Sequence, residues 1–230
     1  MQNGTVTLVM DTSASPLLIA AEKDGRTVCA HRKGIKQEKL LFPVLERVLG
    51  KLGAQLKDIS RICIVRGPGR FTGIRISLTF ASLLKELNRT RVYGVTVFEA
   101  LYRQNKNSRA FLKWQQKHPT GVMAVILHAF REEYFLQIFD AENSAPRWLS
   151  RAELQTILAG CKKPLFIAGT DKNFMPLTEL AGAYGTLAPF TSCRVSARQL
   201  LACCGDETCA QQALEPLYLK PARFELVKPV

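Results

Sequence analysis

At 230 residues the chain is longer than one typical domain of about 100–150, so it reads as one large domain or two smaller lobes, either able to bury a real core. Apolar residues make up 47% of it, yet no run approaches the roughly 20 consecutive apolar residues of a membrane helix, which excludes a helical membrane protein and leaves a soluble globular one. Lys and Arg number 32 against 19 Asp and Glu, a net charge of +13 that attracts polyanions over a broad face, although the cations are scattered and fit a merely soluble basic surface equally well.

The start, Met1-Gln2-Asn3-Gly4-Thr5, lacks the basic and apolar segments of a secretory signal, and the expectation is a cytoplasmic protein without a membrane partner. Thr5 to Met10 is β-branched and alternating, and Asp11-Thr12-Ser13-Ala14-Ser15-Pro16 follows as a turn cluster. Leu17 to Ala21 and Thr27 to His31 continue as strands around Lys23-Asp24-Gly25, which predicts an antiparallel three-stranded meander. Leu40, Leu41, Val44, Leu45, Val48, Leu49 and Leu52 then recur at helical spacing, with Pro43 inside, so that helix either begins near Leu41 or bends there. A buried strand at Ile59 to Val65 leads into the loop Arg66-Gly67-Pro68-Gly69-Arg70-Phe71-Thr72-Gly73, a helix from about Ile74 to Leu87 and a strand at Val92 to Val97.

Tyr102 to Pro119 is polar and basic and reads as a linker or an exposed helix. Beyond it lie a strand pair at Val122 to His128 and Tyr134 to Phe139, a helix at Leu154 to Leu158, a strand at Pro164 to Ala168 and a helix at Gln199 to Cys204. Both halves open with a strand pair and run through helix, strand and helix, which hints at a duplicated α/β lobe.

The strand, glycine-rich loop and helix from Ile62 to Leu87 are where a phosphate would sit, because free N–H groups and a helix dipole converge there. No glycine pair has Walker spacing followed by lysine, and Thr72 stands where a dinucleotide fingerprint wants its third glycine. The plainer reading is a rigid turn that packs strand against helix, while Arg66, Arg70 and Arg75 keep an anion site open. Asp11, Thr12 and Ser13 offer a carboxylate and two hydroxyls to a nucleotide or its metal, and equally serve as turn residues bonding their own backbone. His31, His118 and His128 form no catalytic or metal-binding pair, and His128 ends an apolar run. Of the seven cysteines, Cys193, Cys203, Cys204 and Cys209 lack the paired spacing of a zinc site, and the odd count argues against a disulfide framework; no metal is expected.

Together these landmarks resemble the TsaB (YeaZ) family, the non-catalytic partners of TsaD in bacterial synthesis of threonylcarbamoyladenosine in transfer RNA. Met10-Asp11-Thr12-Ser13 resembles the family's opening Asp-Thr-Ser, and Gln37-Glu38-Lys39-Leu40-Leu41-Phe42-Pro43 its Ser-Glu-x-Leu-Leu-Pro segment. Arg66 to Gly73 resembles the Arg-Gly-Pro-Gly-Ser-Phe-Thr-Gly loop, with Arg75 following, and Gly94-Val95-Thr96 and the closing Pro216-Leu217-Tyr218-Leu219-Lys220 also match. The motif matches cover residues 8 to 101, and the second half matches by layout and ending. Arg70 replaces the family's usual serine, and His128-Ala129-Phe130 its usual Asp-Ala-Arg.

The resemblance implies an α/β, actin-like ATPase (ASKHA) fold of two related lobes with the second reduced: residues 1–104, then 105–211, with a tail 212–230 packing back on the first lobe. The related TsaD carries His-x-x-x-His after its loop, and those positions fall on Val97 and Leu101, neither a metal ligand. The resemblance therefore implies a scaffold and activator of a TsaD-like transferase, joined by a TsaE-like ATPase, with a homodimer as an alternative pairing, while the strong basic balance suggests contact with transfer RNA or an acidic partner. The expected interface is Leu40, Leu41, Val44, Leu45 and Val48 with Ile74, Ser77, Leu78 and Ala81, so that charges at Leu41 and Leu45 should break pairing and spare the fold. No cofactor is required, ATP or ADP binding being expected only in the complex. The rival reading is a nucleotide-binding or weakly ATP-hydrolysing actin-like protein using Asp11, Thr12 and the Arg66 to Gly73 loop, with Gly169-Thr170-Asp171 as a weak adenosine candidate.

Overall fold

The computed structural model describes residues 5–34, 37–140, 145–170, 175–211 and 213–220. Asp171 of the weak adenosine candidate and residues 212 and 221–230 of the tail lie outside the described residues. The chain forms two compact units, Met1–Val97 with Ser196–Leu217, and Phe98–Val195 with Tyr218–Val230.

The first unit opens with β1 (Val6–Asp11), β2 (Leu17–Lys23) and β3 (Arg26–Arg32), paired antiparallel in succession. Asp24 and Gly25 both have positive φ, 51° and 74°, the left-handed pair that matches the twist of a two-residue hairpin. Then come α1 (Gln37–Gly50), β4 (Ile59–Val65), α2 (Phe71–Asn88) and β5 (Arg91–Val95). Strand order is β3-β2-β1-β4-β5, with β4 parallel to both β1 and β5. All six residues of β1 are buried, as a central strand covered on both faces requires. Helix α1 begins at Gln37 and runs through Pro43 without stopping, and α2 begins at Phe71, three residues before its expected start, with Arg70 as N-cap.

The second unit repeats this wiring. After α3 (Val97–Lys106) and α4 (Arg109–Lys117) come β6 (Val122–Phe130), β7 (Glu133–Phe139), β8 (Arg147–Ser150), α5 (Arg151–Gly160), β9 (Leu165–Thr170), α6 (Met175–Tyr184) and β10 (Thr186–Leu187). The sheet order β10-β9-β6-β7-β8 has the same pairing: its first strand lies antiparallel to the second and parallel to the fourth. Its helices are shorter, 10 residues each in α5 and α6 against 14 and 18 in α1 and α2. The expected α/β organisation of two related lobes with a reduced second lobe is therefore present. The segment 102–119 is helical and no linker: Phe111 and Trp114 of α4 are buried and meet Phe166 at centroid distances of 5.2 and 5.4 Å.

The chain then returns to the first unit as α7 (Ala197–Cys203) and α8 (Glu207–Gln211). Helix α7 packs on β1, β2, β4 and β5, with Leu200 and Cys203 fully buried. Residues 196–211, which the sequence reading assigns to the second lobe, thus cover the first sheet, because its strands carry apolar side chains on both faces. Here Cys63 of β4 meets the thiols of Cys203 and Cys204; those contacts, then burial, push its own thiol well above the usual range, and all seven cysteines are free. Among the described residues no group of three or more His, Cys, Asp or Glu is arranged to hold a metal.

Candidate functional site

The end of β1 brings the Asp-Thr-Ser triplet against the glycine loop. Asp11, Thr12 and Ser13 are buried. The Ser13 N–H and hydroxyl both donate to Asp11 Oδ1, at 2.9 and 2.6 Å, and the Thr12 hydroxyl donates to the Gly73 carbonyl at 2.6 Å. Burial raises the Asp11 carboxyl above the ordinary carboxylate range, and the two Ser13 hydrogen bonds pull the other way.

The loop is tied down at each end by backbone bonds. The Arg66 N–H donates to Val95 O at 3.0 Å, the Val97 N–H to Gly67 O at 2.8 Å, and the Arg70 N–H to Ser13 O at 2.7 Å. A strap from the chain's end closes the other side: the Leu217 N–H donates to Arg66 O at 2.8 Å, and Arg66 Nη1 donates to Glu215 O at 3.2 Å. Two glycines make these approaches available. Gly67 has φ of 121°, and a side chain there would stand 2.6 Å from the Leu217 carbonyl oxygen; one at Gly69 would run into the carbonyl oxygen of Ser13. Arg75 lies over the ring of Phe71 at 5.4 Å, while Arg70 and Thr72 are exposed. Thr12 and Ser13 spend their hydroxyls on protein acceptors and the loop closes on the triplet. The arrangement is a packed junction.

The helices give a different candidate surface. Leu41, Val44, Leu45 and Val48 of α1 are at most 5% exposed, and Ile74, Ser77 and Ala81 of α2 are fully buried. Leu40 and Leu78 are half-buried and pack against the same core. The interface expected from the sequence is thus mostly the inner stripe of each helix, turned to the sheet. The outward apolar residues are Phe42 at 51% exposure, Phe71 at 56%, Leu83 at 52% and Leu87 at 78%. Phe42 meets Phe80 edge to face at 6.1 Å, joining the two helices on this side. The available signal is Phe80, Leu83 and Leu87 at three- and four-residue spacing, a row that leaves the core at Phe80 and runs outward through Leu83 and Leu87.

The family model for "TsaD: tRNA N6-adenosine threonylcarbamoyltransferase" matches residues 35–128. The protein named "tRNA threonylcarbamoyladenosine biosynthesis protein TsaB" in Escherichia coli (strain K12) is 29% identical over 138 residues, 59% of this chain and 56% of that protein. Its namesake in Buchnera aphidicola subsp. Schizaphis graminum is 27% identical over 114 residues, 49% of this chain and 51% of that protein. The solved structure of YeaZ from Pseudomonas aeruginosa superposes with a TM-score of 0.62 at 20% identity, covering 94% of this chain and all of that one. The chain is similar to proteins of the TsaB (YeaZ) family. The matches span about half the length of these curated TsaB relatives. The part shared with the TsaD family model runs from before α1 through the glycine loop and α2 to α4 and into β6, so it contains the glycine loop and the outward helix face but not the Asp11–Ser13 triplet.

Proposed function

We propose that this chain is a non-catalytic scaffold and activator of a TsaD-like threonylcarbamoyl transferase, acting in the synthesis of threonylcarbamoyladenosine in transfer RNA. The observation that carries this reading is the outward apolar face of α1 and α2, where Phe42, Leu83 and Leu87 stay exposed beside a complete core. Exposed aromatic and leucine side chains on a rigid helix pair are what a protein partner buries, and a standard interface needs about 800 Å² from each side. The chemistry belongs to the partner. Where the resemblance aligns the metal-binding histidines of TsaD, this chain has Val97 and Leu101, both buried and apolar.

The mechanism is a population shift: by binding the competent conformation of the transferase more tightly, the chain raises its share, and a differential of a few kcal/mol suffices. A TsaE-like ATPase joins the assembly in the cytoplasm, and ATP or ADP enters only with the complex. Two copies of the chain meeting through the same helices form its resting state. The test is threonylcarbamoyl transfer to unmodified transfer RNA by the cognate TsaD-like protein, supplied with the threonylcarbamoyl adenylate, with and without this chain. Strong dependence on the chain, with no transfer by it alone, is expected. Equal transfer in its absence overturns the reading.

A further inference from the structure

From Ala100 to Arg131 the sequence contains no Asp or Glu, while Arg103, Lys106, Arg109, Lys113 and Lys117 fall on α3 and α4. Helix α4 arranges its share in one stripe: Arg109, Lys113 and Lys117 are four residues apart, all exposed, with Lys106 exposed just before. Like charges at this spacing repel on a helix surface, and a cation in the first turn opposes the helix dipole. Helix α4 has no acidic residue in its first turn, and among the described residues Lys106, Arg109, Lys113 and Lys117 form no ion pair with a carboxylate. Of the three, Lys117 alone sits in the last turn, where a cation suits the dipole; the mutual repulsion along the stripe would be relieved by a polyanion laid along it.

We infer that the exposed face of α4, extended by Lys106, is a docking surface for the phosphodiester backbone of RNA. The inference rests on the proposed role in transfer RNA modification for its choice of polyanion. The helix is built as a platform: Phe111 and Trp114 anchor its inner face on Phe166, the Trp114 Nε1–H donates to Thr186 Oγ1 at 3.1 Å, and Ser108 caps its start. The same anchoring argues against an anionic membrane, since a surface helix needs a free apolar face to insert and this one has spent its own, leaving only Leu112 exposed among its large apolar side chains.

The test is fluorescence anisotropy of a labelled, unmodified transfer RNA transcript with the full chain between 50 and 200 mM salt. The comparison is between the charge-reversed variant Arg109→Glu/Lys113→Glu/Lys117→Glu and a control, Lys51→Glu/Lys57→Glu/Arg61→Glu, which removes the same charge from exposed positions of the first unit. The first variant is expected to bind roughly tenfold or more weakly at low salt, with its salt slope reduced by about two to three, and the control to bind nearly as the parent does. Equal weakening by both variants, unchanged binding by the first, or no RNA binding by the parent at low salt overturns the inference. So does parent binding to phosphatidylserine vesicles without binding to the transcript. Co-elution of the triple variant with the TsaD-like protein separates the two readings. Pairing with unaltered RNA binding sinks only the docking surface, and RNA binding through α4 with transfer that does not need the chain sinks only the activator role.

Discussion

Asp11 is a buried carboxyl whose two hydrogen-bond donors come from the next turn of its own chain and not from a cation. Its pKa in the folded protein lies above the ordinary value of about 3.9, so the native state holds the proton more tightly than the unfolded chain does. That contribution to stability is complete below the unfolded value and is lost as the pH rises through the folded one. Asp11→Asn keeps an oxygen for both Ser13 donors and removes the buried charge. Its urea midpoint should therefore exceed the parent's at pH 7, with the gap closing as the pH falls toward 4; a lower midpoint at pH 7 would mean that a cation supports the carboxylate. Gly69 answers a steric question. An alanine there meets the Ser13 backbone, with the Ser13 carbonyl carbon at 3.0 Å, and neither strand end can easily yield. Gly69→Ala should cost about 1–3 kcal/mol in chemical denaturation, the usual penalty of overpacking, and a neutral result would mean that the loop is free to move off the triplet.

At the scale of elements, α1 and α2 each bury one apolar stripe, and beyond it α1 exposes Phe42 and α2 exposes Phe71, Leu83 and Leu87, a distinction that decides what a mutation reports. Leu45 is 1% exposed and Leu83 is 52% exposed. Leu45→Ala should cost about 2–5 kcal/mol as a core truncation, and a charge at Leu45 or Leu41 should unfold the first unit, contrary to the expectation that such variants stay folded. Leu83→Glu should change the unfolding free energy by no more than about 0.5 kcal/mol and Phe42→Glu should cost about 0.5–1.5 kcal/mol through its lost ring contact with Phe80, while the two together abolish co-elution with the TsaD-like protein; retained co-elution would put the interface elsewhere. The sequence makes the helices legible through their spacing but not their facing, because α2 is apolar on most sides: Ile74, Ser77, Ala81 and Leu84 are buried while Ile76, Leu83 and Leu87 are not. The triplet and the loop were legible as motifs, yet their mutual closure depends on contacts 61 residues apart, such as Thr12 to Gly73. Short elements escaped for a different reason. β8 and β10 have 4 and 2 residues, too few to display an alternation. Helix α6 did carry a readable period in Leu177, Leu180, Ala181 and Tyr184, obscured by Pro176 and Gly182 around it.

For the molecule as a whole, the sequence hint of duplication holds in the identical strand pairing of the two sheets, whereas a boundary drawn at residue 104 misses that each unit is assembled from two separated segments. Sequence order favours a cut where composition changes; packing places it where apolar surface must be covered. The first sheet receives α1 and α2 on one side and α7 on the other, and Leu200, Cys203 and Cys209 of the returning segment are buried there. Each leucine-sized side chain withdrawn from such a site forfeits about 1.5–3 kcal/mol, before counting the apolar strand surface it leaves in water. Since whole domains are stable by only about 5–15 kcal/mol, a fragment 1–104 should fail to fold cooperatively. Fusing residues 196–217 to it through a flexible linker should restore a single unfolding transition and abolish binding of a hydrophobic dye. If the fragment instead unfolds cooperatively by itself, the returning helices cover a sheet that is already stable, and their place in the first unit serves to hold the strap at Leu217 against the glycine loop.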